Sequence, residues 1–218
     1  SNERLCMATI PEDMFIEAVN ALVKAEEDWV PSEPETSLYI RPFAFACESS
    51  LGVHKSKAYK FVIILSPVGA YYAEGLAPVK IMVEDEYVRA VQGGTGFTKC
   101  GGNYAGSIIG QVKAEKYGCS QVLWLDGRER KYVEEVGAMN IMFKIDGEIY
   151  TAPIEGTVLP GVTRDSIIHI LKDWGYKVNE THLSVDDLMQ AGRDGRLEEV
   201  YGTGTAAVIS PVGALVYK

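Results

Sequence analysis

The sequence lacks the features that suit a membrane or a nucleic acid. No apolar run approaches the roughly 18 residues that a membrane-spanning helix needs. Of the 218 residues, 21 are Lys or Arg and 30 are Asp or Glu, which gives a net charge of −9. A negative chain repels phosphate backbones, and the densest basic cluster, residues 128–131, contains Glu129 and is typical of a hairpin tip. We therefore expect a small-molecule ligand, with no nucleic acid and no membrane as partner.

Cysteine and histidine are also scarce. The four cysteines form no C-x-x-C pair, and none of the three histidines stands near one at the spacing of metal ligands. We expect no bound metal. No apolar segment of a secretory signal follows Ser1–Arg4, so we expect free thiols in a reducing cytoplasm.

Hydrophobic patterning predicts two regions that each mix helices and strands. A helix capped by Thr9, followed by strands near residues 38–46, 60–65 and 79–83, indicates a small α/β domain over residues 1–91. The glycine-rich stretch 92–98 is expected to be an interdomain loop. Residues 99–218 are expected to form a larger domain. Its predicted helices are 104–117, 164–174 and a short one after Ser184, and its predicted strands are 121–125, 133–145, 148–151, 177–182 and 199–201.

Lys99 stands in the most glycine-rich segment, between Gly94 and Tyr104. Glycines let a backbone approach a ligand closely, and a lysine there can reach it. A phosphate-binding P-loop is excluded, because Thr98 precedes the lysine and Cys100 follows it. A lysine that condenses with a carbonyl cofactor fits the pattern, and a surface lysine on a flexible loop is the alternative.

Two adjacent acids, Glu134 and Glu135, interrupt an apolar extended run. Neighbouring residues of a strand point to opposite faces, so one acid can face solvent and the other an interior site. An interior carboxylate there could pair with a pyridinium nitrogen. The alternative is a pair of exposed acids at the end of a strand.

Three further segments have features of anion-binding sites. The turn 159–163 leads into a helix whose free N–H groups could bind phosphate, although Thr163 could equally be an ordinary helix cap. Residues 202–207 match a relaxed dinucleotide fingerprint, but no helix follows, so a nest of backbone amides fits better. Arg41, flanked by apolar residues, could grip a substrate carboxylate or form a structural ion pair.

Taken in order, these segments resemble one family, the branched-chain-amino-acid aminotransferases, which are fold type IV pyridoxal-phosphate enzymes. The resemblance implies an α+β fold of the D-amino-acid-aminotransferase type, with a small α/β domain and a larger mixed α/β domain. It covers nearly the whole chain in seven blocks: residues 37–42, 67–71, 99–104, 121–125, 135–140, 159–164 and 202–206.

The resemblance also implies a role for individual residues toward pyridoxal 5′-phosphate and a substrate. Lys99 would be the Schiff-base lysine, Tyr104 would bind the phenolic oxygen of the cofactor, and Glu135 would face its pyridine nitrogen. The implied phosphate ligands are Val162, Thr163 and Thr205, and the implied substrate-side residues are Tyr39, Arg41 and the backbone of Ala206.

The implied activity is transfer of the amino group of leucine, isoleucine or valine to 2-oxoglutarate by a homodimer. Lys99 would move the proton between the substrate and the cofactor, while Glu135 keeps the ring nitrogen protonated. A D-amino-acid aminotransferase or an aminodeoxychorismate lyase is the alternative within the fold, although blocks 39–42 and 135–140 argue against both. A non-catalytic fragment is the alternative from a different class.

The sequence departs from the family pattern in two ways. Family chains extend further at both ends, and their upstream arginine for the cofactor phosphate has no counterpart here, so we expect an internal portion of the family chain that binds the cofactor weakly if it stands alone. Some relatives carry a C-x-x-C pair where this chain has Ala207 and Ser210. We therefore expect no thiol switch of activity.

Overall fold

The computed structural model describes residues 1–69, 77–206 and 208–217. Tyr71, which ends one of the family blocks, and Ala207 lie outside the described residues. The chain divides into two compact units, Ser1–Ala73 and Glu74–Lys218. Each unit is described by itself below.

The first unit contains helix α1 (Glu12–Ala25) and two antiparallel strands, β1 (Ser37–Ala46) and β2 (Tyr59–Val68). The predicted helix and the first two of the three predicted strands are present, but the predicted Thr9 cap is wrong. Pro11 occupies the N-cap position and no side chain caps the helix. Glu12 and Asp13 in the first turn instead place negative charge where the helix dipole favours it.

The described residues of the second unit form one eight-stranded sheet and three helices. The strands run in the order β5-β4-β3-β10-β9-β6-β7-β8, and β5 also pairs with β6, so six of the strands close into a ring. The helices are α2 (Gly101–Glu115), α3 (Val162–Asp173) and α4 (Val185–Arg193). The strands are β3 (Val79–Glu84), β4 (Gln121–Leu125), β5 (Val133–Val136), β6 (Met139–Ile145), β7 (Glu148–Thr151), β8 (Val178–Glu180), β9 (Leu197–Gly204) and β10 (Val208–Val216).

The structure divides the chain earlier than the sequence predicted. We placed β3 in the small domain, but it pairs in parallel with both β4 and β10 in the large sheet. Five of its six residues are buried, which is typical of a parallel strand covered on both faces. The boundary therefore lies between Ala73 and Glu74 rather than after Val91, and residues 92–98 belong to the second unit.

The predicted single run 133–145 is a hairpin of two strands, β5 and β6. A turn at Gly137 and Ala138 connects them, with Gly137 at a φ of 54°. The indole nitrogen of Trp124 donates a hydrogen bond of 3.0 Å to the carbonyl of Gly137 and holds the turn against β4. The hairpin register places Glu135 directly opposite Asn140.

Candidate active site

Lys99 lies immediately before the N-terminus of α2. That helix begins at Gly101, with Cys100 as its N-cap, rather than at Tyr104 as predicted. The Lys99 ammonium nitrogen is 5.5 Å from the centre of the Tyr104 ring. Lys99, Tyr104 and Glu135 line one pocket, whose other lining residues are Arg89, Gly96, Thr98, Asn103, Ser107, Gly137, Ala138 and Leu159.

The glycine-rich loop before Lys99 is folded onto α2 by one side chain. The amide nitrogen of Asn103 donates hydrogen bonds of 2.8 Å to the carbonyls of both Thr95 and Thr98. Its amide oxygen accepts a bond of 2.7 Å from the Thr95 hydroxyl. Position 96 has room only for glycine, because a Cβ there would overlap the carbonyl of Thr157. The loop that carries Lys99 is therefore ordered by specific contacts.

Glu135 is a buried carboxylate held by two hydrogen-bond donors and one ion-pair partner. Its Oε1 accepts bonds of 2.8 Å from the Leu159 amide and 3.2 Å from the side chain of Asn140. Its Oε2 lies 3.0 Å from Nε of Arg89. Burial raises the pKa of Glu135 to about 7, although Arg89 and the Leu159 amide act in the opposite direction. The group is thus poised to change its protonation near neutral pH, which makes it sensitive to a charged ligand.

Glu134 faces a different part of the molecule. Its Oε1 accepts a hydrogen bond of 2.5 Å from the hydroxyl of Thr157. It lines a separate cavity of about 360 Å³ together with Asp126, Glu155 and His182. The alternative of two exposed acids is wrong, because both side chains are buried. Of the two acids, Glu135 is the one that shares a pocket with Lys99.

Helix α3 begins at Val162, and Gly161 is its N-cap. The interpretation of Thr163 as an ordinary cap is therefore wrong, since it is the second residue of the helix. The first N–H groups of a helix have no acceptor within it, so those of Val162 and Thr163 can bind an anion. Leu159, in the preceding turn, contacts Glu135 through its amide.

Thr205 and Ala206 lie in the turn between β9 and β10, and both are exposed. Thr203, near the end of β9, pairs with Asn140 of β6. Asn140 in turn pairs with Glu135 of β5. The sheet register therefore puts the turn that carries Thr205 just beyond the row of residues that contains Glu135.

Tyr39 and Arg41 lie on β1 in the first unit. The Arg41 guanidinium lies 4.8 Å from the centre of the Tyr39 ring, a distance typical of a cation–π contact. Arg41 is exposed, so its apolar neighbours in the sequence do not bury it. The role of this pair toward a substrate stays a prediction.

Sequence reasoning missed three residues of the site: Arg89, Asn103 and Asn140. Asn140 could have been found, because a two-residue turn after Val136 pairs position 135 with position 140. Arg89 carried no local signal, since its contacts with Glu135 and Thr157 join distant parts of the chain.

Residues 1–69, 77–206 and 208–217 lack two kinds of feature. None of the helices there is both long and apolar enough to cross a membrane. Within the same ranges, no cluster of His, Cys, Asp or Glu side chains could hold a metal ion.

Comparison with known proteins decides the family. The family profile described as "Amino-transferase class IV" matches residues 2–215. The chain belongs to the class IV aminotransferases. Two similar proteins come from Bacillus subtilis (strain 168). "Branched-chain-amino-acid aminotransferase 2" is 57% identical to this chain over 218 residues. "Branched-chain-amino-acid transaminase 1" is 55% identical over 216 residues. These matches cover 100% and 99% of the chain, which spans only 60% and 61% of the two relatives.

Solved structures of branched-chain amino acid aminotransferases have the same fold as this chain. The Escherichia coli branched-chain amino acid aminotransferase has a TM-score of 0.79 and 30% identity, over 95% of this chain and 65% of that one. The T.th. branched-chain amino acid aminotransferase with pyridoxamine 5′-phosphate has a TM-score of 0.78 and 30% identity, over 94% and 64%. The class IV chain is thus an α+β, fold type IV protein, as the sequence predicted.

Proposed function

We propose that the protein is a pyridoxal 5′-phosphate-dependent transaminase that transfers the amino group of leucine, isoleucine or valine to 2-oxoglutarate. One observation carries the proposal: Lys99, Tyr104 and the buried Glu135 line a single pocket. The names of the two Bacillus subtilis relatives support the substrate class, and the pyridoxamine 5′-phosphate in the T.th. structure supports the cofactor.

The donor set of the pocket fits this cofactor. A buried carboxylate whose pKa is about 7 becomes charged most readily beside a cation, and a protonated ring nitrogen is such a cation. Lys99 offers an amine, and the start of α3 offers backbone N–H groups suited to a phosphate. When bound, the cofactor supplies a carbonyl that condenses with amines and a ring that accepts electrons.

Each residue has a separate task in the proposed reaction. Lys99 would hold the cofactor covalently through Nζ, and its amine would take up and return the proton at the substrate α-carbon. Glu135 keeps the ring nitrogen protonated. Tyr104 hydrogen-bonds the phenolic oxygen. We assign the phosphate to the amides of Val162 and Thr163 and to Thr205. We assign the substrate carboxylate and side chain to Tyr39, Arg41 and the backbone of Ala206.

We further propose that the protein acts in the cytoplasm as a homodimer. Its partners would be small amino acids and 2-oxo acids. Size-exclusion chromatography with light scattering checks the homodimer, since a monomer in the active preparation would contradict it.

The covalent role of Lys99 gives the sharpest test. After addition of pyridoxal 5′-phosphate, borohydride reduction and peptide mapping should place the label on Lys99. Lys99→Ala should lower turnover of L-leucine with 2-oxoglutarate by at least about 10³-fold, because it removes the anchor and the proton carrier. Lys116→Ala, an exposed lysine at the end of α2, is the control. A label on Lys113 or Lys116 would refute the assignment.

The same preparation separates the alternatives. Turnover of D-amino acids, or lyase activity without L-leucine turnover, would assign the protein to another fold type IV activity. A colourless preparation that takes up no pyridoxal 5′-phosphate would indicate a non-catalytic fragment.

A further inference from the structure

Asn140 links Glu135 to the turn that precedes α3. It is 6% exposed and lies opposite Glu135 in the β5–β6 hairpin. Its amide nitrogen donates to Oε1 of Glu135 at 3.2 Å and to the carbonyl of Leu159 at 2.9 Å. The Leu159 amide completes the triangle by donating to the same Glu135 oxygen at 2.8 Å. Both backbone groups of Leu159 are thus tied to the hairpin.

Gly161 shows how closely Asn140 approaches the turn. The N-cap residue of α3 has φ −71° and ψ 133°, a conformation open to any L-residue. Backbone freedom therefore does not explain glycine at this position. A Cβ on Gly161 would overlap Oδ1 of Asn140, so the glycine makes room for that side chain. Asn140 consequently contacts the carboxylate with one end of its amide and the start of α3 with the other.

We propose that Asn140 is a positioning residue that couples Glu135 to the N-terminus of α3. For the identity of the ligand the proposal rests on the proposed function, in which Glu135 faces the ring nitrogen and α3 binds the phosphate. Those two groups would belong to one bound cofactor, so the positions of their binding sites have to match each other. Asparagine suits the task because its amide offers two donors and an acceptor and carries no charge beside Glu135.

The test uses two substitutions that act on the link from opposite ends. Asn140→Leu keeps the size and removes both donors. Gly161→Ala keeps Asn140 but displaces it, and its Cβ is directed at Asn140 rather than at Glu135. Asn179→Leu is the matched control, because Asn179 also donates to a carboxylate, that of Glu148, and to a carbonyl, that of Ile149. Gly192→Ala controls for the added methyl group, since its Cβ would make only ordinary contact with Leu197.

The first readout needs no cofactor. The Glu135 carboxyl is titrated by ¹³C NMR in the cofactor-free protein. A donor to a carboxylate favours its charged form, so loss of the Asn140 bond should raise the pKa of Glu135. We expect the shift in Asn140→Leu and in Gly161→Ala, with no further shift in the double variant, because both act through one side chain. Both controls should leave the titration unchanged.

The second readout is the ratio of the dissociation constants of pyridoxal and pyridoxal 5′-phosphate, which differ in the phosphate. Both variants should lower this ratio about tenfold, the loss expected for one hydrogen bond to a charged group. A shift in the ratio with no change in the titration of Glu135 in Gly161→Ala would overturn the coupling. So would an Asn140→Leu protein that behaves like Asn179→Leu. If Asn140→Leu does not fold, Gly161→Ala alone decides.

The two proposals fail in different ways. A wild-type protein that binds no pyridoxal 5′-phosphate would refute the proposed function, while the titration of Glu135 would still decide whether Asn140 and Gly161 are coupled to it. Normal cofactor binding with an unchanged titration in both variants would refute the coupling alone.

Discussion

Arg89 and Glu135 form a buried ion pair, with Nε of the guanidinium 3.0 Å from Oε2 of the carboxylate. The Arg89 Nη2 also donates to the carbonyls of Gly96 and Thr157. One side chain therefore connects the carboxylate of the pocket to the loop that precedes Lys99. Breaking a buried pair leaves an uncompensated charge, so the two residues depend on each other.

Replacing Arg89 should raise the pKa of Glu135 above its value of about 7, because the cation beside it favours the charged carboxylate. Arg89→Met keeps most of the length of the side chain. Carboxyl ¹³C titration of the cofactor-free protein measures the shift. Arg164→Met is the matched control, since Arg164 is also buried and donates to Glu180 and to the carbonyl of Ala152. An unchanged titration in Arg89→Met would show that the ion pair does not form in solution.

Stability of the cofactor-free protein should fall as pH rises from about 4.5 to about 7. Burial raises the pKa of Glu135 from 4.5 to about 7, so the folded state holds a proton that the unfolded state has released. The stabilisation is complete below pH 4.5 and is lost as pH rises through 7. It amounts to at most about 3 kcal/mol.

Thermal unfolding at a series of pH values checks this dependence. Glu135→Gln should flatten most of the decline, while a remainder comes from Glu134, whose pKa burial also raises. A decline of the same size in Glu135→Gln would assign the effect to other groups.

The two neighbouring acids should respond differently to the same substitution. Glu135→Gln should lower turnover by roughly 10- to 100-fold, the loss expected for one charge-assisted hydrogen bond in a buried site. Glu134→Gln should leave turnover within about threefold of wild type, because Glu134 lines a different cavity. Circular dichroism verifies that both variants fold. Should Glu134→Gln be the more damaging change, the assignment of strand faces would be wrong.

Gly96→Ala should destabilise the protein by about 1–3 kcal/mol, because its Cβ would overlap Thr157 and Ala90 in a packed region. Chemical denaturation measures the change. Gly106→Ala is the control: a Cβ there meets nothing within 4 Å, and alanine favours the helix that contains it. The control should be neutral or stabilising by up to about 1 kcal/mol. Equal effects of the two substitutions would refute the requirement for space at Gly96.

The sequence by itself determined most of the local structure. Apolar spacing predicted α1, α2, α3 and most strands, because burial of one face leaves a periodic pattern. The different surroundings of Glu134 and Glu135 also followed from geometry alone, because neighbouring side chains of a strand point to opposite faces of the sheet. The ordered blocks around Lys99 and Glu135 were enough to indicate the family.

Only the tertiary structure decided which residues meet. The sequence misassigned β3, because its apolar run does not reveal that its partners, β4 and β10, lie much further along the chain. The sequence also did not predict the contact between Arg89 and Glu135, which are far apart in the chain. Pairing between distant strands is chosen by the packing of the whole sheet rather than by local propensity. Burial, and with it the raised pKa of Glu135, exists only once that sheet has formed.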